Sequence, residues 1–99
     1  MPTLEQQYAA LVSTPTRIYE GSVGLILLPN GEWHYIETRL SIGFELSGLS
    51  EVLYYFALMT DSQAAVLEEN DDDDSDGLEN YVKENWDRLL QNLILRMRT

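Results

Sequence analysis

The 99-residue chain has no cysteine, which excludes disulfides, thiolate metal centres and cysteine nucleophiles and fits a reducing compartment. Positive charge is scarce as well: six lysines and arginines face seventeen aspartates and glutamates, for a net charge of −11. A surface of that sign repels phosphate backbones, so nucleic-acid binding through counterion release is not expected, and no glycine-rich phosphate cradle is present to compensate. Long apolar runs are missing. The longest, VGLILL at residues 23–28, is far too short to cross a bilayer, and MPTLEQQYAALV at the N-terminus has neither the basic leader nor the apolar core of a signal peptide. A soluble cytoplasmic protein with no membrane partner is therefore expected. With one histidine and scattered serines, no nucleophile, base and acid can be assembled in the order that triad chemistry needs, so the chain does not read as an enzyme.

What is present is a foldable chain. A hydrophobic fraction of 44% is ordinary for a globular sequence, and 99 residues suit one domain with a modest core. Thr3 and Gln6 fit a capping box, with Leu4, Tyr8, Leu11 and Val12 at helical spacing behind it, which predicts a first helix over residues 4–12. Pro15 ends it by disfavouring helical geometry at Thr14. Residues 17–28 are rich in β-formers, and LPNGEW then supplies proline, asparagine and glycine for a hairpin turn. Beyond the turn Ile36, Leu40, Ile42, Phe44 and Leu46 alternate with polar residues, as in a strand with one packed face, and its length calls for a bend or bulge near Gly43. The aromatic-rich EVLYYFALM at residues 51–59 reads as a third strand, although Ser50 could cap a helix there. A short helix capped by Asp61 should follow. Finally Leu78, Val82, Trp86, Leu89, Leu93 and Met97 step by three or four residues along a helix of about five turns. The expected architecture is α+β: one domain over residues 1–99, with a small antiparallel sheet of about three strands and the N-terminal and C-terminal helices packed on one face.

The chemistry concentrates in an acidic loop at residues 68–77, EENDDDDSDG. Between Asp61 and Glu79 there are nine acids and no base. Two carboxylates 5 Å apart repel by roughly 0.8 kcal/mol in water and by several times that at an effective dielectric of about 20, and a divalent cation reverses the sign of that energy. Hard oxygen ligands suit Ca²⁺, which accepts six to eight of them in flexible geometry, better than Mg²⁺, which needs a tight octahedron. Asp72, Asp74, Asp76 and Gly77 match the front half of an EF-hand loop, but the twelfth position from Asp72 is Lys83, where a bidentate glutamate should stand. The expected site is thus irregular. Its candidate ligands are Asp71, Asp72, Asp73, Asp74, Asp76 and Glu79, with Glu84 as an alternative to Glu79 from the last helix.

A cysteine-free, strongly acidic chain of just under one hundred residues that carries EENDDDDSDG without an EF-hand resembles the small calcium-binding proteins of filamentous cyanobacteria, associated with heterocyst differentiation. The resemblance implies calcium buffering or sequestration, with release when the protein is degraded, and more than one bound ion. It maps no ligand onto an individual residue. A second site would draw on Glu32, Glu37, Glu45 and Glu51, which are candidates by elimination. His34 has Glu32 and Glu37 as neighbours, which invites an acid-base or metal reading, but without a second nitrogen or sulfur ligand it points rather to a structural or surface role. A different class of function is an acidic interaction module, or nucleic-acid mimic, that docks a basic protein partner.

Overall fold

The computed structural model describes residues 1–69 and 76–98, with the side chain of Asp76 outside that description. The chain is α+β, and the described residues form a four-stranded antiparallel sheet in the order β1-β2-β3-β4 and five α-helices. The strands are β1 (Arg17–Glu20), β2 (Val23–Leu27), β3 (Trp33–Glu37) and β4 (Ile42–Leu46), and the helices are α1 (Leu4–Leu11), α2 (Leu49–Thr60), α3 (Ser62–Glu69), α4 (Asp76–Glu84) and α5 (Trp86–Met97).

Local sequence explains most of these boundaries. The α1 capping box forms: the Gln6 amide donates to Thr3 Oγ1 at 3.1 Å, and the Thr3 amide donates to Gln6 Oε1 at 2.9 Å. The 17–28 run is two strands rather than one, because Gly21 at φ +65° opens a two-residue turn between Glu20 and Val23. The LPNGEW hairpin forms as expected, with the Gly31 amide donating to the Leu28 carbonyl at 2.9 Å and Gly31 at φ +87°. Asp61 caps α3 by accepting from the Gln63 amide at 2.9 Å.

Four expectations need correction. Residues 51–59 are helical, within α2. Val52, Leu53, Phe56 and Ala57 are all buried, a spacing of one, three and one that a strand cannot put on a single face. Glu51 supports the start by accepting from the Ser47 amide at 3.2 Å and from its hydroxyl at 2.9 Å. The strand count rises to four because both long β-rich runs fold back on themselves. The bend in the second run lies not at Gly43 but at a 3-10 turn over Thr38–Leu40, followed by Ser41 in the left-handed region at φ 55°. That reversal pairs Ile36 with Gly43 and Glu37 with Ile42, so Ile36 lies on the opposite face from Ile42, Phe44 and Leu46. Of those three only Leu46 is buried. Last, the long C-terminal helix is two helices interrupted at Asn85, whose backbone leaves helical geometry at φ −108° and ψ 20° while its Nδ2 donates to the Tyr81 carbonyl at 2.9 Å alongside its own amide at 3.0 Å. The apolar stripe survives the break: Leu78, Val82, Leu89, Leu93 and Met97 are buried, and Trp86 packs on them half-buried.

The core forms where α2 and α5 cover one face of the sheet. Ile18, Leu25, Leu27, Trp33, Tyr35 and Leu46 meet Leu53, Phe56, Leu89, Leu90 and Leu93. The N-terminal helix adds Leu4, Tyr8 and Leu11 at the margin, and Arg96 on α5 ties to Glu20 on β1 at 2.9 Å. Among the described residues no helix packs on the other sheet face. There Tyr19 lies across Gly24, where an added Cβ would come within 2.6 Å of the ring, so the glycine makes room for the aromatic. No helix among the described residues is long and apolar enough to cross a membrane. Because Leu53 is fully buried between sheet and helices, Leu53→Ala should cost about 2–5 kcal/mol in urea unfolding, whereas Leu40→Ala, at an exposed position, should cost under about 1 kcal/mol.

Candidate functional site

The acidic run joins two helices. Helix α3 ends on Glu68 and Glu69, with no base in its last turn, and α4 begins at Asp76. Helix dipoles give these ends opposite characters: the carboxyl end of α3 carries partial negative charge and the amino end of α4 partial positive charge. Glu79 and its neighbour Glu84 are exposed on α4. The candidates Asp71, Asp72, Asp73 and Asp74 lie outside the described residues, as does the side chain of Asp76, so of the six ligands expected from sequence only Glu79 has a described side chain. Glu79 lines a cleft of about 550 Å³ with Glu51, Tyr54, Tyr55, Lys83 and Trp86. The Tyr54 hydroxyl donates to Glu68 at 3.2 Å, bringing the end of α3 to the same side as α2.

Behind this junction is a network that gave no signal in the sequence, because its members are 20 and 27 residues apart. Asp61, at the turn between α2 and α3, accepts a short hydrogen bond from the Tyr81 hydroxyl of α4 and another from Arg88 Nη2 of α5 at 2.9 Å. Arg88 also donates to the Tyr81 oxygen at 2.6 Å. The Asp61 side chain is 14% exposed and that of Arg88 47%, so the pair is shielded on the acid's side and open to water on the base's. Burial pushes the Asp61 carboxyl upward, but the hydrogen bonds from Tyr81, Arg88 and the Gln63 amide outweigh it and hold the group below its ordinary value. Burial, followed by the bond to Asp61, raises the Tyr81 hydroxyl. The consequence is electrostatic: the Arg88 charge is engaged by Asp61.

A second group lies on the helix-free face of the sheet. Glu32 immediately precedes β3, His34 is on β3, and Glu45 is its cross-strand partner on β4. One donor atom from each falls within 4.8 Å of the others. The sequence sets Glu32 and Glu37 beside His34, but it does not show that Glu45 joins them, since the register of β4 is not visible in a linear pattern. Glu37, by contrast, pairs with Arg39 at 2.9 Å, and Glu51 is held by Ser47, so the four acids considered for a second site do not converge.

No protein-family model, curated protein or solved structure matches this chain.

Because the folded Asp61 pKa is lowered, its stabilisation is present above the ordinary value of 3.8 and is lost as pH falls below it through the folded value. Asp61→Asn should therefore destabilise the protein by about 1–3 kcal/mol at pH 7 and flatten the stability profile between about pH 5 and pH 3, measured by urea unfolding at each pH.

Proposed function

We propose that this chain is a non-catalytic, non-EF-hand calcium-binding protein that buffers or sequesters free Ca²⁺ in the cytoplasm through the acidic segment between α3 and α4. The observation that carries the reading is the excess of acids there, against which Lys83 of α4, in the cleft of Glu79, sets a single positive charge. From Glu68 to Glu79 the chain has eight acids and no base, α3 places two of those acids at its negative end, and Arg88 is engaged elsewhere. Acids at a helix carboxyl end cost about 0.3–1 kcal/mol each at low ionic strength, and crowding them beside further carboxylates adds to that cost. A divalent cation relieves both terms together. The donors are Asp71, Asp72, Asp73, Asp74, Asp76 and Glu79, all hard oxygens, which favours Ca²⁺ over Mg²⁺. Ordering a run of this composition around an ion costs conformational entropy, so the affinity should fall at about 10⁻⁶ to 10⁻³ M, a range suited to buffering. The resemblance to the calcium-binding proteins of filamentous cyanobacteria points the same way.

One observation favours the second reading, an acidic module that docks a basic protein partner. Strand β4 is at the edge of the sheet with Ile42 and Phe44 exposed, and an unpaired apolar edge is a surface on which an extended segment can add. A net charge of −11 would select a basic segment, and such a complex would need no calcium and would weaken steeply with salt.

Calorimetry on metal-stripped protein at about 0.15 M salt separates the two. Calcium binding requires a saturable Ca²⁺ isotherm and a weaker Mg²⁺ response, and the triple substitution Asp72→Asn, Asp74→Asn, Asp76→Asn should reduce affinity by about tenfold or more, whereas Glu5→Gln should leave it unchanged. A flat Ca²⁺ titration would reject this function. Since Trp86 shares a cleft with Glu79, its emission should shift on calcium addition in the native chain and not in the triple variant.

A further inference from the structure

We infer that Glu32, His34 and Glu45 form a separate binding site for a borderline divalent transition ion, with Zn²⁺ as its representative. This site is independent of the acidic segment and differs from it in chemistry.

The first observation is geometric. Cross-strand pairing of His34 with Glu45 places their side chains together on the sheet face that carries no helix, and Glu32 joins them from the end of the hairpin turn. The three donor atoms lie within 4.8 Å of one another, with Glu32 Oε2 3.8 Å from His34 Nε2. Ligands at about 2.0–2.2 Å from a tetrahedral ion are about 3.3 Å apart, so the arrangement closes on a metal by small rotations of two glutamates. Glu32 has room to make that movement, its side chain being 44% exposed, and Glu45 is exposed too. The backbone beneath does not have to move. The Glu32 carbonyl accepts from the Leu28 amide at 2.8 Å and its amide donates to Asn30 Oδ1 at 3.1 Å, while His34 is paired in the centre of the sheet.

The second observation is independent of the acids. His34 Nε2 is shielded from solvent and has no hydrogen-bond partner, although the ring as a whole is 31% exposed. A polar nitrogen withdrawn from water without a partner normally costs free energy, and native structures rarely leave one without a reason. Its register neighbour on the β2 side is Ile26, which offers nothing to bond. A metal ion between the ring and the carboxylates supplies the missing partner.

The donor set decides which ion. Imidazole nitrogen with two carboxylates suits Zn²⁺ and similar first-row ions, whereas Ca²⁺ prefers an all-oxygen shell. Three protein ligands leave a fourth position, facing solvent beside exposed Glu45, for water.

His34 is the only histidine in the chain, so its ring resonances report the site without ambiguity. ¹⁵N-labelled native protein should be titrated with ZnCl₂ in the presence of excess CaCl₂, which occupies the acidic segment. The expected result is a large His34 Nε2 shift that saturates at one equivalent and is weakened about tenfold or more by Glu45→Gln or Glu32→Gln. The Asp72→Asn, Asp74→Asn, Asp76→Asn variant should keep the zinc response after losing its calcium response, which makes failure of one site distinguishable from failure of the other. A Nε2 resonance that zinc does not move, or a shift unaffected by both glutamate substitutions, would overturn the assignment.

Discussion

Negative charge without an internal counterpart is the constraint on which the proposed behaviour of this protein depends. A 99-residue chain can tolerate seventeen acids if they are spread over its surface, because water screens exposed carboxylates at about 8 Å and beyond at physiological ionic strength. Here eight of them fall in the twelve positions from Glu68 to Glu79. The fold brings the negative end of α3 to the run, and it engages Arg88 with Asp61. Two further bases are paired, Arg96 with Glu20 and Arg39 with Glu37, and Lys83 of α4 shares the cleft of Glu79 as a single base beside eight acids.

The Asp61 network gives this arrangement a rigid base. One carboxylate at the α2–α3 turn receives bonds from α4 and α5, so the helices on either side of the acidic segment are tied to one point. Such an anchor ties the start of α3 to the middle of α4 and to α5 through residues outside the acidic segment. Binding energy from a cation would then be spent on the segment itself rather than on assembling the helices around it. The Glu32, His34 and Glu45 group lies on another surface and is held by strand register, so two kinds of metal chemistry can coexist in one small domain.

How much of this was legible in the sequence depended on how local each signal was. The Thr3 and Gln6 box, the Gly31 turn and the Asp61 cap are decided within a few residues, and each is found where sequence puts it. The α2 segment misled because Tyr54, Tyr55 and Phe56 favour strands as isolated residues. Its burial pattern, with Val52, Leu53, Phe56 and Ala57 inside, nevertheless carried the helical spacing. The extra strand was hidden because Gly21 and Ser41 reverse the chain inside runs that look continuous. Composition alone exposed the acidic segment. The Asp61, Tyr81 and Arg88 network was invisible, and of the His34 group only the nearness of Glu32 could be read, since Glu45 joins through strand register.

The most direct measurement of uncompensated charge is thermal unfolding of the native and Asp72→Asn, Asp74→Asn, Asp76→Asn chains, each with chelator and with Ca²⁺ at about one hundred times its Kd. If crowded carboxylates are what calcium relieves, the native protein should gain about 2.7 kcal/mol on calcium addition, a rise of very roughly 10–20 °C in Tm. The triple variant should begin more stable than the native chain in chelator and gain little. A native melting curve that calcium leaves in place, or a neutralised variant no more stable than the native chain without calcium, would contradict that claim.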